Sequence, residues 1–503
     1  MSAKTRTKKQ YPENFKSLLG FSLPGFSYAF AGVVYGLFMQ YLTDYSGIDQ
    51  AVGKVGFAAA FGTGFMIFTR IIDAVDDPLQ AFIMDGAKER KFGKYRMFTG
   101  ISTILILVGL VMLFGIPASI KSAVVPLTIW IVVGYLIYEA GNAFHGVVPV
   151  LQKATKDAKI RTKVMTWYRM ALVVGAVPAT FFVPIATVLN QGIGDMGKSI
   201  SITCFVIVGI SSVISLIGVA LLKEPYMPQM DEEKAKGPGV GLKDLIALLK
   251  TNKAMWVHDI AYIIGNSAYG FSGAMMVYFL KWYYCANVQT GAVNNEYYAA
   301  IYGISSAAGL ILAFVAPLLA GWFTRKIGAV DKAARLCMLI AGVLYVIIFG
   351  CYFTGLLKDQ PYIYIFLNFL VSIPTNMATV PFLLINVEVA DYTEYKTGKN
   401  MTALTTSVMN LFTKTNTALS TAITGALLIA VNYSVDSVTG AYAGDVASIP
   451  GMINGFAIFI SVVPALCCLV CWLMYRFLYP ITPELRKNMA EKLEKMRNQG
   501  AEE

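Results

Sequence analysis

The sequence predicts an all-α integral membrane protein with twelve transmembrane helices in two six-helix bundles and both termini in the cytoplasm. Three observations carry this. Of the 503 residues 56% are hydrophobic and 14% charged, more apolar surface than a water-soluble chain of this length hides. The apolar residues recur in runs of about 20, the length that crosses a hydrocarbon core roughly 30 Å thick. The cations gather in alternate connections between those runs, as cytoplasmic loops require.

The runs are read in chain order. Residues 1–18 form a basic cytoplasmic segment, and no small-residue cleavage site follows the first run, so no signal peptide is expected. Runs 19–43, 55–84, 98–116, 124–150, 164–188 and 200–222 make the first bundle, 19–222. The longest internal polar stretch then opens a cytoplasmic linker, 223–253. Runs 255–280, 297–323, 336–353, 362–389, 403–431 and 451–477 make the second bundle, 254–479, and 480–503 is a cytoplasmic tail.

The net charge of +11 follows this topology. Lys88, Arg90, Lys91, Lys94 and Arg96 lie between runs two and three, and Lys153 to Lys163 between four and five. Arg325, Lys326, Lys332 and Arg335 follow run eight, and Lys396 and Lys399 follow run ten. The opposite loops carry chiefly Lys54, Lys121, Lys198 and Lys358. Cations dispersed in this way do not make a nucleic-acid surface. The seven cysteines sit in or beside apolar runs and read as small packing residues rather than a disulfide framework.

The two halves echo one another. Asp77-Pro78-Leu79 in run two corresponds to Ala316-Pro317-Leu318 in run eight, and VVPVL ending at Leu151 to TVPFLL ending at Leu384. Repeated halves with a solute site between them are a secondary-transporter pattern. The first half has acids beside its proline and the second has none, so cation chemistry is expected in the first.

Run two places Arg70, Asp73, Asp76 and Asp77 within two turns. Asp73 and Asp77, at i and i+4, share a helical face flanked by Asp76 and Arg70. Each charge near a bilayer centre costs roughly 2.5–3.5 kcal/mol on insertion scales, so such groups face partners or water. Pro78 also leaves the Ala74 carbonyl without its helical donor. Carboxylates beside a free carbonyl suit a hard cation such as sodium at Asp73 and Asp77. A proton can replace it, because neighbouring carboxylates readily share one. The bland alternative is a lock in which Arg70 neutralises one aspartate.

Two cations are the natural counterparts: Arg169 in run five and Lys414 in run eleven, the latter in a polar stripe with Asn410, Thr415, Asn416 and Thr417. Glu139, Asn142 and His145, spaced by three in run four, can line the same cavity, although a packing histidine beside Gly146 serves helix contact equally well. Tyr28, Tyr35, Trp167 and Tyr168 offer aromatic faces and hydroxyls. His258 and Asp259 lie near the cytoplasmic entrance of run seven, where topology or gating is their expected role.

RIIDAVDDPLQAFIMD at 70–85, followed by KFGKYR at 91–96, resembles the signature of the glycoside-pentoside-hexuronide:cation symporters, the melibiose-permease-like branch of the major facilitator superfamily. ADYTEYKTGKN at 390–400 resembles that family's motif in the opposite half. The resemblance implies the major facilitator fold and cation-coupled sugar symport in a bacterial cytoplasmic membrane. It assigns Asp73, Asp77 and Lys414 to the cation site, with Asp76 standing where the branch has asparagine. Arg169 matches the arginine that arranges the family's sugar-binding acids. Counting from shared residues puts Tyr28 and Gly141 at the positions of those acids, and His145 where an aromatic platform is usual. Asp85, Arg90, Arg96, Arg161, Asp391 and Glu394 are the expected cytoplasmic gate.

Without the two acids, Arg169 needs Glu139 or an anionic solute, and a sugar acid accepting paired bonds fits that vacancy. The expected partners are therefore a sugar or sugar acid, a coupling cation and membrane lipid, with no nucleic acid and no cofactor. The competing readings are a carrier of a non-sugar organic anion or lipid-like amphiphile and a non-transporting sensor. No nucleophile-base-acid set points to an enzyme.

Overall fold

The computed structural model describes residues 11–88, 90–155, 158–225, 252–397, 402–437 and 439–499. Residues 226–251 of the expected linker and 500–503 of the tail lie outside them. In a lipid environment each backbone N–H and C=O must be bonded within the protein, which favours helices. Among the described residues the regular structure is accordingly helical, with two isolated bridges, Ala286 to Val293 and Val435 to Tyr442.

The principal helices are α1 (Phe15–Ser22), α2 (Gly25–Tyr35), α3 (Phe57–Gly86), α4 (Lys94–Phe114), α5 (Val124–Ala143) and α6 (Val147–Ala154). They continue with α7 (Ala158–Thr180), α8 (Phe182–Ile193), α9 (Met196–Leu221), α10 (Lys253–Phe279), α11 (Asn295–Ile327) and α12 (Val330–Phe353). The chain ends with α13 (Pro361–Thr397), α14 (Thr402–Ala430), α15 (Ile449–Ile460), α16 (Val462–Leu473) and α17 (Pro483–Gln499). Eight stretches of described residues are long and apolar enough to cross a membrane: α1–α2, α4, α5–α6, α7–α8, α9, α12, α13 and the segment Val446–Leu478. The other four expected runs coincide with α3, α10, α11 and α14.

Several runs are broken where the backbone loses a donor or a glycine intervenes. Pro24 separates α1 from α2, and the α7–α8 break at Phe181 follows Pro178 inside α7. Between α5 and α6 the chain bends through Phe144, His145 and Gly146. Gly146 sits so close to α4 that a Cβ there would stand 2.7 Å from the Tyr95 carbonyl oxygen. Its amide donates to Thr99 Oγ1 at 3.2 Å, which fixes the bend.

The chain forms two compact units. The first comprises residues 1–236, 286–310 and 428–448. One end of it is packed by Leu18, Phe21, Met84, Tyr95, Phe98, Val150, Val164 and Tyr168. Glu224 closes that end: it accepts from Lys153 Nζ at 2.6 Å and from the Arg96 amide at 2.8 Å, with both paired side chains buried. At the other end Gln40 Nε2 donates to Tyr298 Oη at 2.8 Å and Tyr433 Oη donates to Asp44 at 3.0 Å. Asp49 accepts the amides of Gly56 and Ala58 at 3.0 and 2.6 Å and the hydroxyl of Ser434, so one carboxylate both starts α3 and fastens a distant segment to it.

The second unit comprises residues 237–285, 311–427 and 449–503. Within it the tail is ordered as α17, docked through buried Met489 and Leu493. Arg486 bonds Asp331 at 2.7 Å and also Glu388, joining the start of α12 to the end of α13. Arg335 pairs with Asp331 at 3.0 Å, Tyr479 Oη donates to Glu388 at 2.9 Å, and Lys492 Nζ donates to the Tyr395 carbonyl at 2.9 Å. Arg486→Met keeps the aliphatic stem and leaves two acids without their shared donor. It is expected to destabilise the second unit by about 1.5–3 kcal/mol, the range for hydrogen bonds to charged groups. Thermal unfolding in detergent checks this, and faster proteolytic removal of α17 should accompany it.

Candidate functional site

The expected cation residues Asp73, Asp76 and Asp77 lie on α3 with Arg70 and Asp85, and Lys414 lies with Asn410 on α14. Their side chains lie outside the described residues, as does that of Arg161 on α7. The α3 backbone is helical through Pro78, which keeps Asp73 and Asp77 one turn apart on one face.

The expected solute residues of the first unit come together. Tyr28 on α2 stacks on His145 with ring centroids 4.8 Å apart and planes inclined by 24°. On the next helix, Tyr168 Oη stands 2.9 Å from His145 Nε2, so the imidazole is held by stacking on Tyr28 and a hydrogen bond to α7. Asn142 Nδ2 donates to Glu139 Oε2 at 3.3 Å on α5. The charges of Glu139 and Arg169 both act on the Tyr28 hydroxyl, and that of Arg169 also reaches Tyr168. Tyr28 and Arg169 are exposed, Glu139, Asn142 and His145 are half-buried, and Tyr168 is buried.

Local structure explains this assembly. The α5–α6 bend turns His145 away from the helical row of Glu139 and Asn142, while α7 delivers Tyr168 and Arg169 as neighbours on adjoining faces. A second aromatic group extends the wall, with Tyr35 stacked on Tyr138 at 4.8 Å. The cluster therefore combines an aromatic face with a guanidinium, a carboxylate, an amide and hydroxyls. Such a set can stack on a pyranose ring, bond its hydroxyls and pair with a carboxylate.

Gly141 is excluded as a site for a solute-binding acid. A Cβ there would stand 2.7 Å from the Ile106 amide nitrogen and 3.0 Å from the Ser102 carbonyl, and Ser102 Oγ donates to the Gly141 carbonyl at 2.5 Å. This position faces α4, not the polar cluster, and its small size lets the two helices touch.

Among the expected gate residues, Arg96 serves a helix end: its Nε and Nη2 donate to the Val219 and Ala220 carbonyls at 2.8 and 2.9 Å. These are among the last carbonyls of α9, which lack helical donors. Arg90 is exposed before α4, and Asp391 and Glu394 are half-buried on the last turns of α13. Sequence reasoning missed Glu224, Asp44, Asp49 and Arg486. Asp44 and Glu224 lie at run ends and Asp49 and Arg486 beyond them, where a polar residue looks like ordinary loop.

Apolar helices long enough to span a membrane that carry a stacked and hydrogen-bonded polar cluster are the makings of a multi-pass membrane transporter. The chain belongs to the MFS/sugar transport protein family, which matches residues 20–483. It is similar to the uncharacterized symporter YjmB of Bacillus subtilis (strain 168), 23% identical over 495 residues that cover 97% of this chain and 96% of that one. It is also 23% identical to the lactose permease of Lactobacillus helveticus over 80% of this chain, spanning 60% of the permease's length. A putative glycoside/cation symporter of Escherichia coli (strain K12), YagG, is 24% identical over 76% of each chain. Among solved structures, a point mutant of the nucleoside transporter NupG superposes with a TM-score of 0.55 at 15% identity, covering 93% of this chain and all of that one. A protein from work on proton dependent oligopeptide transporters gives a TM-score of 0.56 at 13% identity over 92% of this chain and all of that one. At such identities these two likenesses bear on the fold alone. The family and its symporter relatives make this chain a transporter rather than an enzyme, located in the cell membrane.

Restoring an acid at position 141 should fail. Gly141→Asp is expected to separate α4 from α5 and lower the thermal midpoint by several degrees, with no gain in binding of neutral glycosides. A variant as stable as the parent would contradict the close approach of the two helices.

Proposed function

We propose that this protein is a secondary active symporter that couples a cation to an acidic sugar, a hexuronide-like solute, by alternating access. The reading takes the twelve apolar runs as twelve spans in two six-helix bundles, 19–222 and 254–479, with both termini cytoplasmic. The observation that carries it is the Tyr28–His145 stack beside Glu139, Asn142 and Arg169. An aromatic platform favours a sugar ring, and an exposed guanidinium near one carboxylate, Glu139, among the described residues favours a solute that brings a second.

Asp73 and Asp77 on α3 would hold the cation, with Asp76 adding a third acid to the same two turns and Lys414 serving as the switching counter-charge. Sodium and a proton both suit carboxylates at this spacing, and the ion gradient supplies the energy without a cofactor. The gate role stays with Asp85, Arg90, Arg161, Asp391 and Glu394, with Arg96 anchoring α9 beside them. An organic anion without a sugar ring would use Arg169 but not the aromatic face.

Thermal unfolding of the purified protein against neutral glycosides and hexuronides, each with and without sodium, tests the solute. A hexuronide should raise the midpoint more than its neutral analogue. Arg169→Lys should weaken hexuronide binding about tenfold, because a lysine cannot reproduce the paired bonds. Equal shifts with neutral and acidic sugars would refute the acidic preference. Asp77→Asn should abolish gradient-driven accumulation in vesicles while leaving solute exchange intact, and full accumulation would sink the coupling assignment.

A further inference from the structure

We propose that Asp259, enclosed beside His258 and Tyr475 in the second unit, is a proton-binding site that loads and unloads during transport; this rests on the symport reading and places proton coupling apart from the α3 acids.

Asp259 lies on α10, six residues beyond its first residue Lys253, a rise of about 9 Å along the axis. The start of that helix is tied down. Asn252 accepts from the Met255 amide at 2.9 Å and donates to Thr393 Oγ1 at 2.6 Å on α13. Asp259 is 1% exposed, and among the described residues neither carboxylate oxygen has a hydrogen-bond partner. His258 is fully buried next to it in the chain; its Nδ1 stands 2.7 Å from Tyr475 Oη, while Nε2 has no partner among the described residues. The Tyr475 hydroxyl lies near enough to feel the charge of Asp259.

The surrounding titratable groups offer Asp259 no cation among the described residues. Its own helix contributes His258 and Tyr262, with Lys253 exposed at its start. The segment of α16 and the turn after it contribute Cys471, Tyr475 and Tyr479, with Arg476 turned to the exposed side. From α13 comes Glu388, with Asp391, Tyr392 and Glu394 on later turns, and α12 brings Asp331 and Arg335. Those acids and cations engage each other: Arg486 holds Glu388 and Asp331, and Arg335 holds Asp331. From α14, Phe412 packs on Trp256, and the Lys414 side chain lies outside the described residues. The sequence of α15 has no titratable side chain.

An ionised carboxylate enclosed without water or a donor is the costliest form such a side chain can take, and the neutral acid removes most of that cost. A metal cation is the poorer occupant because it demands several oxygen ligands. Among the described residues no three His, Cys, Asp or Glu side chains come together to supply them. Proton binding places one hydrogen on one Asp259 oxygen and neutralises it. Release returns the proton to water and leaves the carboxylate charged, which requires that water or a cation reach the pocket in another state of the cycle. His258 and Tyr475 are positioning residues in this scheme, setting the polarity next to the acid.

The test is infrared difference spectroscopy of the full chain in detergent across pH steps, paired with uptake into vesicles driven by a pH gradient alone. The parent should show a titrating carboxylic-acid C=O band that Asp259→Asn removes and that His258→Gln and Tyr475→Phe move to a different pH. In Asp259→Asn, accumulation driven by the pH gradient should fall at least tenfold, while the thermal shift produced by solute stays at the parent value. A band that persists in Asp259→Asn, or accumulation at the parent level, overturns the proposal. If Asp259→Asn does not fold, an unmoved band in both His258→Gln and Tyr475→Phe overturns it as well. If the parent accumulates none of the sugars tried under a pH gradient or a sodium gradient, the symport reading fails, and the infrared titration still decides whether Asp259 binds a proton.

Discussion

A solvent that cannot hydrogen-bond is the constraint on which the structure depends. Lipid leaves each backbone group to find a partner inside the protein, so the apolar runs become helices and polar side chains are retained mainly where something answers them. Where Pro24, Pro178 or the Gly146 bend interrupts a helix, nearby groups take up the slack, as Thr99 does for the Gly146 amide. The interruptions are also where the chemistry collects: His145 sits in the α5–α6 bend, between the acid and amide of α5 and the tyrosine of α7.

Helix ends are managed by a small number of charged residues with several bonds each. Glu224 takes up Lys153 and the Arg96 amide, while the Arg96 side chain closes the last carbonyls of α9. Asp49 starts α3 and holds Ser434 from far along the chain. Because α3 also carries Asp73, Asp76 and Asp77, the helix expected to bind the cation is anchored at its first turn by a carboxylate outside the membrane runs. In the second unit Arg486 plays the equivalent part for α12, α13 and α17. Against this economy the unbonded carboxylate of Asp259 stands out beside Asp331 and Glu388, which are both held by Arg486.

Much of this was legible in the sequence. The apolar runs and the family motifs followed from spacing and residue type, and the same reading named Tyr28, Tyr168 and His145, which the fold places against one another. Run four shows where that reading stopped. A period of three placed Glu139, Asn142 and His145 on one face, but the bend at Phe144–Gly146 is what turns the imidazole onto Tyr28. Counting along a motif put Gly141 in the solute site, whereas its neighbours on α4 leave no room for a side chain. The tail, read simply as a cytoplasmic segment, contains a docked helix, and the two apolar residues, one arginine and one lysine that hold it are too few to register as a pattern.

The sequence by itself determined the membrane class, the positions of the runs and the residue types available to the candidate site, because burial in lipid acts on each stretch locally and leaves its mark in composition and period. Tertiary structure alone decided which polar groups meet. Gln40 and Tyr298 are separated by 258 residues, Asp44 and Tyr433 by 389, and no local signal records a hydrogen bond of that span. It also decided that Asp259 finds no hydrogen-bond partner among the described residues, since whether a buried acid is answered depends on side chains delivered by other helices and not on its own neighbours in the chain.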